Sequence, residues 1–183
     1  MNFANKLSVF RILCTPFFVA ALIYYSPQRD YLRWVALGIF SLACLSDLLD
    51  GFIARRLKQR TSLGAILDPL ADKTLLITSF ITLASLKTFP PSLKLPTLVP
   101  IIIISRDAII LLGVALIHVL KKEIEILPTI LGKLTTFFQM VTVLVVIAHL
   151  TFAPFIWSLA IFFTIVSGIQ YISRGIKILS EEA

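Results

Sequence analysis

Apolar residues run in long blocks, at about Phe10–Tyr25, Tyr31–Leu57, Ala65–Thr88, Leu98–Leu120, Leu131–Leu150 and Phe155–Leu179. Each is near or above the roughly 20 residues that a helix needs to cross a bilayer. Hydrocarbon offers no water to backbone N–H and C=O groups, so such a chain folds as helices that satisfy themselves internally. The predicted fold is therefore all-α, an integral membrane bundle of about six transmembrane helices. Only 15% of the 183 residues are charged and 58% are hydrophobic, where a soluble domain averages about a quarter and about half. One domain spanning residues 1–183 is the expectation at this length.

Turn chemistry separates the blocks: Ser26-Pro27, Pro90-Pro91, Pro96, Pro128 and Pro154. The first block is the shortest. It is expected to borrow the Asn5–Ser8 stretch, which could instead form a short interfacial helix. It is expected to be retained, because no small-residue cleavage pattern accompanies an early apolar run.

The formal net charge of +7 raises a nucleic-acid reading, which the distribution excludes. The cations lie between apolar blocks, with no basic face interleaved with stacking aromatics. Membrane orientation accounts for them. With alternating spans, one side collects Lys6, Arg55, Arg56, Lys58, Arg60, Lys121, Lys122, Arg174 and Lys177, and the other only Arg29, Arg33, Lys87 and Lys94. The positive-inside rule then places both termini in the cytoplasm. Cys14 and Cys44 sit in apolar stretches without Cys or His ligand spacing, and read as buried free thiols.

The chemistry is concentrated between Asp47 and Asp72. Asp47 and Asp50 are three apart, and Asp68 and Asp72 four apart, so each pair lies on one helical face. A short basic loop makes the two helices antiparallel neighbours whose acidic pairs can face each other. Intramembrane carboxylates cost about 2.5–3.5 kcal/mol each on insertion scales. Four together repel unless cations neutralise them, and hard oxygen ligands in this array suit two Mg²⁺ or Mn²⁺ ions. Salt bridges to Arg55, Lys58 or Lys73 are the bland alternative.

Gly51, Ala54 and Gly64 lie beside the acids, where backbone without bulk admits a large ligand or permits tight helix packing. Arg55 stands at the same end, where its fork could clamp a phosphate. The second block, at ~1.5 Å per residue, spans ~40 Å and exceeds the ~30 Å hydrocarbon core. Its far end, with Asp50 and Arg55, should reach headgroup depth.

This stretch resembles the signature of the CDP-alcohol phosphotransferase family, D-x2-D-G-x2-A-R-x8-G-x3-D-x3-D, met here by Asp47, Asp50, Gly51, Ala54, Arg55, Gly64, Asp68 and Asp72 without departure. At roughly 5% usage per residue, chance supplies eight such positions in a chain this long less than about once in ten million. Asn5, Ser8, Arg11 and Pro16 echo an amino-terminal N-x-L-T-x-x-R pattern, with Ser8 for the usual Thr. Ser105-Arg106-Asp107, Gly132-Lys133, Gln139 and Ser167-Gly168-Ile169-Gln170-Tyr171 most resemble the bacterial phosphatidylglycerophosphate synthases within that family.

The resemblance implies two divalent ions on Asp47, Asp50, Asp68 and Asp72, with Asp72 as general base. It implies a CDP-lipid site lined by Asp47, Gly51, Ala54, Arg55 and Gly64. It further implies CDP-diacylglycerol and sn-glycerol 3-phosphate as substrates, CMP as leaving group, a homodimer, and a bacterial inner membrane with the site facing the cytoplasm. Spacing alone does not rank Asp72 above Asp68 as base.

An anionic acceptor needs cations. Arg106, inside an apolar run, is the leading candidate, followed by Lys133 and Arg174. Asp107 is expected to face away from Arg106, being about 100° round the helix. Pro69 is expected to kink or adjust its helix, and His118 to be structural. Other acceptors within the family, as in a cardiolipin synthase or a phosphatidylinositol-phosphate synthase, are the runner-up. A cation or proton transporter is a remote alternative, since its acids would be spread through membrane depth on several helices.

Overall fold

The computed structural model describes residues 3–57, 62–119 and 129–180, and side chains over 6–47, 70–113 and 129–176. Among the described residues there are six α-helices and no strand: α1 Phe3–Ile23, α2 Tyr31–Leu57, α3 Ser62–Ser85, α4 Leu98–Val119, α5 Ile130–Ile147 and α6 Ala153–Ser180. Two short 3₁₀ turns, Pro27–Arg29 and Pro91–Leu93, join α1 to α2 and precede α4. The expected block boundaries hold for α2 and shift by up to three residues for the third to sixth. The first differs most. Its helix begins at Phe3 and runs unbroken through the Asn5–Ser8 stretch and past Pro16, so no separate interfacial helix forms.

Among the described residues, four segments are long and apolar enough to cross a membrane: Lys6–Ile23, Pro91–Gly113, Ile130–Ile147 and Ala153–Ile176. The aspartates fall on the other two long helices, α2 and α3. Large apolar side chains such as Phe17, Tyr24, Leu112, Phe155 and Ile169 are exposed on the bundle surface. An aqueous protein would bury them, whereas lipid is their natural solvent. This is a membrane protein.

Helix α1 packs between α2 and α3, α5 pairs with α6, and α6 also meets α4. The halves join where α2 touches α5 and α3 touches α4. Phe18, Leu22, Phe40, Leu75, Phe80 and Leu83 fill the centre of the first half with essentially no exposure. Hydroxyls inside the bundle return to their own helices. Thr15 donates to the Arg11 carbonyl at 3.0 Å, Ser79 to Leu75 at 2.6 Å and Thr142 to Phe138 at 2.7 Å. Such i−4 bonds satisfy a polar group that lipid cannot. Cys14 and Cys44 are free, half-buried rather than enclosed.

At the end of the bundle away from the aspartates, aromatic rings pack together where α1, α3 and α5 end. Helix α5 ends in a Schellman motif, Leu150 N–H donating to the Val145 carbonyl at 3.0 Å and His149 N–H to Val146 at 3.1 Å. His149 takes the left-handed position usually given to glycine, with φ of 58°. Its ring stands edge-on to Phe89 and Tyr25, at centroid distances of 4.8 and 6.1 Å. Arg33 grips Asp30 with two bonds of 2.7 and 2.8 Å and donates to the Ile147 carbonyl at 3.2 Å.

Burial, and then the positive charge of Arg33, pushes the His149 imidazole below its ordinary value of 6.5, while Asp30 acts in the opposite sense. A lowered folded value means that the unfolded chain takes up the proton first, so stability falls as pH drops below about 6.5. The thermal midpoint of detergent-solubilised protein is expected to decline between pH 7 and 5. His149→Asn keeps a residue that tolerates the left-handed position and should flatten that decline. An unchanged slope in the variant would assign the acid sensitivity elsewhere.

Candidate active site

The aspartates lie where α2 ends and α3 begins, with α1 between. Among the described side chains, Asp47 comes from α2 and Asp72 from α3, and Arg11 of α1 reaches both. Arg11 Nη1 donates to Asp47 Oδ1 at 3.0 Å and makes an ion pair with Asp72 Oδ1. The guanidinium is 1% exposed, against 27% and 28% for the two carboxylates. Two helices thus bring one carboxylate each to the same guanidinium. Asp50, Gly51, Ala54, Arg55, Gly64 and Asp68 occupy helical backbone positions beside them, but their side chains lie outside the described residues, as do those of Pro69 and His118.

The donor set suits a hard divalent cation: carboxylate oxygens only, partly accessible, and already convergent on a buried positive group. Among the described residues no cluster of three or more Asp, Glu, His or Cys occurs, because only Asp47 and Asp72 of the four are described there.

Arg11 is the residue that sequence reasoning passed over. It appeared there only as part of an amino-terminal pattern. The signal was present: an arginine in the middle of an apolar helix needs an anionic partner, and the excess acid lay on the neighbouring helices.

A second polar cluster lies where α3, α4 and α6 meet. Asp107, 5% exposed, accepts from two cations: Lys73 Nζ on Oδ2 at 2.5 Å and Arg106 Nη1 on Oδ1 at 2.9 Å. The expectation that Asp107 faces away from Arg106 is therefore corrected. Adjacent helical positions do diverge by about 100°, but an arginine side chain is long enough to fold back across that angle.

Arg106 also donates through Nη2 to Ser167 Oγ at 2.6 Å and lies over the Tyr171 ring at 5.5 Å. Two glycines make room for it. A Cβ at Gly168 would sit 3.3 Å from Arg106 Cγ, and one at Gly132 3.6 Å from Arg106 Nη2 and 3.2 Å from Thr129 Oγ1. Thr129 caps α5 by accepting from the Gly132 N–H at 3.0 Å. The Ser167, Gly168 and Tyr171 positions of the carboxy-terminal motif thereby acquire one physical explanation. They build the seat of Arg106.

Two buried atoms at this seat, Arg106 Nε and Gln170 Oε1, have no hydrogen-bond partner. Lys133 follows Gly132 on α5, and Arg174 stands one turn beyond Tyr171 on α6. Both are exposed and neither touches Arg106 in the described contacts. Gln139, fully buried, donates to Thr164 Oγ1 at 3.2 Å and joins α5 to α6.

Two comparisons bear on this arrangement. The model of the CDP-alcohol phosphatidyltransferase family matches residues 1–166. A protein of Escherichia coli strain K12 named CDP-diacylglycerol–glycerol-3-phosphate 3-phosphatidyltransferase is 34% identical over 183 residues, covering 95% of this chain and 94% of the relative. A protein of the same name from Aquifex aeolicus is 32% identical over 190 residues and covers both chains fully. A probable phosphatidylglycerophosphate synthase of Mycobacterium tuberculosis is 32% identical over 182 residues, 96% of this chain and 82% of its own.

Removing Arg11 should expose the cost of bringing Asp47 and Asp72 together. Arg11→Leu removes the cation shared by two partly exposed carboxylates and should destabilise the fold in metal-free detergent by about 2 kcal/mol, with Arg11→Lys losing less. Equal unfolding midpoints for wild type and Arg11→Leu would sink the assigned role.

Proposed function

The chain belongs to the CDP-alcohol phosphatidyltransferase family, and from that premise we propose that it transfers a phosphatidyl group from CDP-diacylglycerol to sn-glycerol 3-phosphate, releasing CMP. The observation that carries the reading is the convergence of Asp47 and Asp72 on α2 and α3, beside the six remaining residues of an unbroken family signature. The relatives' names favour glycerol 3-phosphate over the acceptors of cardiolipin or phosphatidylinositol-phosphate synthesis.

Asp47, Asp50, Asp68 and Asp72 would hold two divalent ions, Mg²⁺ or Mn²⁺. Four carboxylates against Arg11 leave negative charge in excess, which favours such ions. When bound, they supply neutralisation of the diphosphate, the main requirement of phosphoryl-type transfer. Gly51, Ala54, Arg55 and Gly64 would admit the nucleotide, as α2 reaches headgroup depth with its carboxy-terminal end. Asp72 takes the proton of the acceptor hydroxyl as that oxygen attacks the β-phosphorus. The bond from that phosphorus to the CMP oxygen breaks, and CMP departs.

The acceptor site is Arg106, aided by Lys133 and Arg174. Lys73 and Arg106 share the single carboxylate of Asp107, so this buried group carries net positive charge. A phosphate monoester is the complementary ligand, and the unpartnered Arg106 Nε is a donor for it. Ser167 and Tyr171 hold the guanidinium in place.

The chain as one domain, six spans, both termini and the active site on the cytoplasmic face of a bacterial inner membrane, and a homodimer complete the proposal. An even number of spans would return both ends of the chain to one side, the side to which the sequence assigns most of the basic residues between apolar blocks.

Purified protein in detergent with CDP-diacylglycerol, Mg²⁺ and labelled glycerol 3-phosphate should move label into lipid with release of CMP, and EDTA should stop it. Absence of labelling by folded protein would discard this acceptor. Asp72→Asn should lower kcat by at least about a hundredfold in protein that still folds, and near-normal turnover would end its role as base. Arg106→Ala should raise KM for glycerol 3-phosphate by about tenfold or more while leaving that for CDP-diacylglycerol within about twofold. Equal loss toward both substrates would mark Arg106 as structural.

A further inference from the structure

At the end of the bundle away from the aspartates, α3 and α4 leave a cavity of about 470 Å³ between them. This lies within the 300–1,000 Å³ range of small-molecule sites. Its walls are Ile81 and Ala84 from the last turns of α3 and Pro100, Ile101 and Ile104 from the first turns of α4. Ile81 and Ile101 are also exposed on the outer surface, so the cavity is reached from the lipid side. Two lysines complete the lining, Lys87 after α3 and Lys94 before α4. Ile104 lies six residues beyond the start of α4, about 9 Å along the axis. An apolar slot of that depth under a cationic rim has the layout of a lipid's upper chains beneath its headgroup.

The charge needs an answer. Cations on the side of a membrane protein away from its basic loops are disfavoured, yet two stand together at one opening. Among the described residues neither has an ion-pair partner. Asp30, the acid of that end, is held by Arg33. Among the described residues no free anion stands there, and the surrounding solvent of the apolar wall is lipid. We propose that this cavity is a binding site for one anionic glycerophospholipid of the leaflet opposite the aspartates, with its phosphate between Lys87 and Lys94 and an acyl chain against Ile81, Ala84, Ile101 and Ile104. A basic pair at headgroup level supplies the selectivity, and the slot supplies residence.

Native mass spectrometry of the full chain in mild detergent tests this, using phosphatidylglycerol and phosphatidylcholine with identical acyl chains at equal concentration. The wild type is expected to retain phosphatidylglycerol several-fold more than phosphatidylcholine. Lys87→Gln/Lys94→Gln should bring the two toward parity, whereas Arg29→Gln, removing another exposed cation of the same end, should leave the preference intact. Ser85→Phe, which fills the slot from an exposed position on its wall, should reduce retention of both lipids. Excess soluble glycerol 3-phosphate should displace nothing. Equal retention of both lipids by the wild type, an unchanged preference in the double variant, an equal loss in Arg29→Gln, or displacement by glycerol 3-phosphate would each overturn the site.

Discussion

A charge inside hydrocarbon must be answered by another charge, and that requirement organises the interior of this bundle. Arg11 stands between carboxylates from two helices, and Asp107 stands between two cations from two helices. These are opposite solutions to one problem. The first leaves negative charge in excess around a buried guanidinium, and the second leaves positive charge in excess around a buried carboxylate. Neither is closed on its own terms. Each leaves an excess charge that a ligand of the missing sign would complement, as the proposed function requires.

The two clusters are physically joined. Lys73 follows Asp72 in α3, so the helix that brings a carboxylate to Arg11 also brings an ammonium to Asp107. Because α3 is the element of the first half that meets α4, the Lys73–Asp107 bond at 2.5 Å sets the position of the aspartate cluster against the Arg106 seat. A reaction between two anionic substrates needs its acceptor oxygen aligned with the diphosphate to within fractions of an ångström. On the proposed reading, the short Lys73–Asp107 link would hold that alignment in a bundle whose outer surface meets lipid.

How much of this the sequence disclosed depends on the range of the interaction. Helix positions were legible because bilayer thickness imposes a length and apolar runs report it; α2 matched to the residue, and the others shifted only at their ends. That α2 and α3 would carry acids to the same end was legible from the short segment between them, but that α1 would pack against both and bridge Asp47 and Asp72 through Arg11 was not. The partner of Arg106 was misread, since periodicity fixes where a Cα points but not how far a long side chain folds back. Arg11 was missed for a related reason. Its contacts lie 36 residues away on α2 and farther on α3, and nothing in local spacing encodes which helix will lie between two others. The unexplained arginine was visible, but only the packing of α1 against both α2 and α3 gave it a destination.

The two ends of the bundle meet the same constraint in different ways. At the far end, Asp30 and Arg33 cancel each other, and Tyr25, Phe89 and His149 close the core with aromatic edges. His149 accepts a left-handed backbone there, at a cost of roughly 1 kcal/mol or more, so that α5 can end and the chain can turn directly into α6. At the near end, α2 and α3 bring Asp47 and Asp72 against a buried guanidinium, and glycines at 132 and 168 give up packing volume so that Arg106 can lie between helices. Packing is conceded at this end around buried charge, whereas the far end leaves its gap between α3 and α4, on the lipid-facing side. A bundle that holds ionic groups among its helices gives up volume where the charges lie and keeps aromatic packing where they do not.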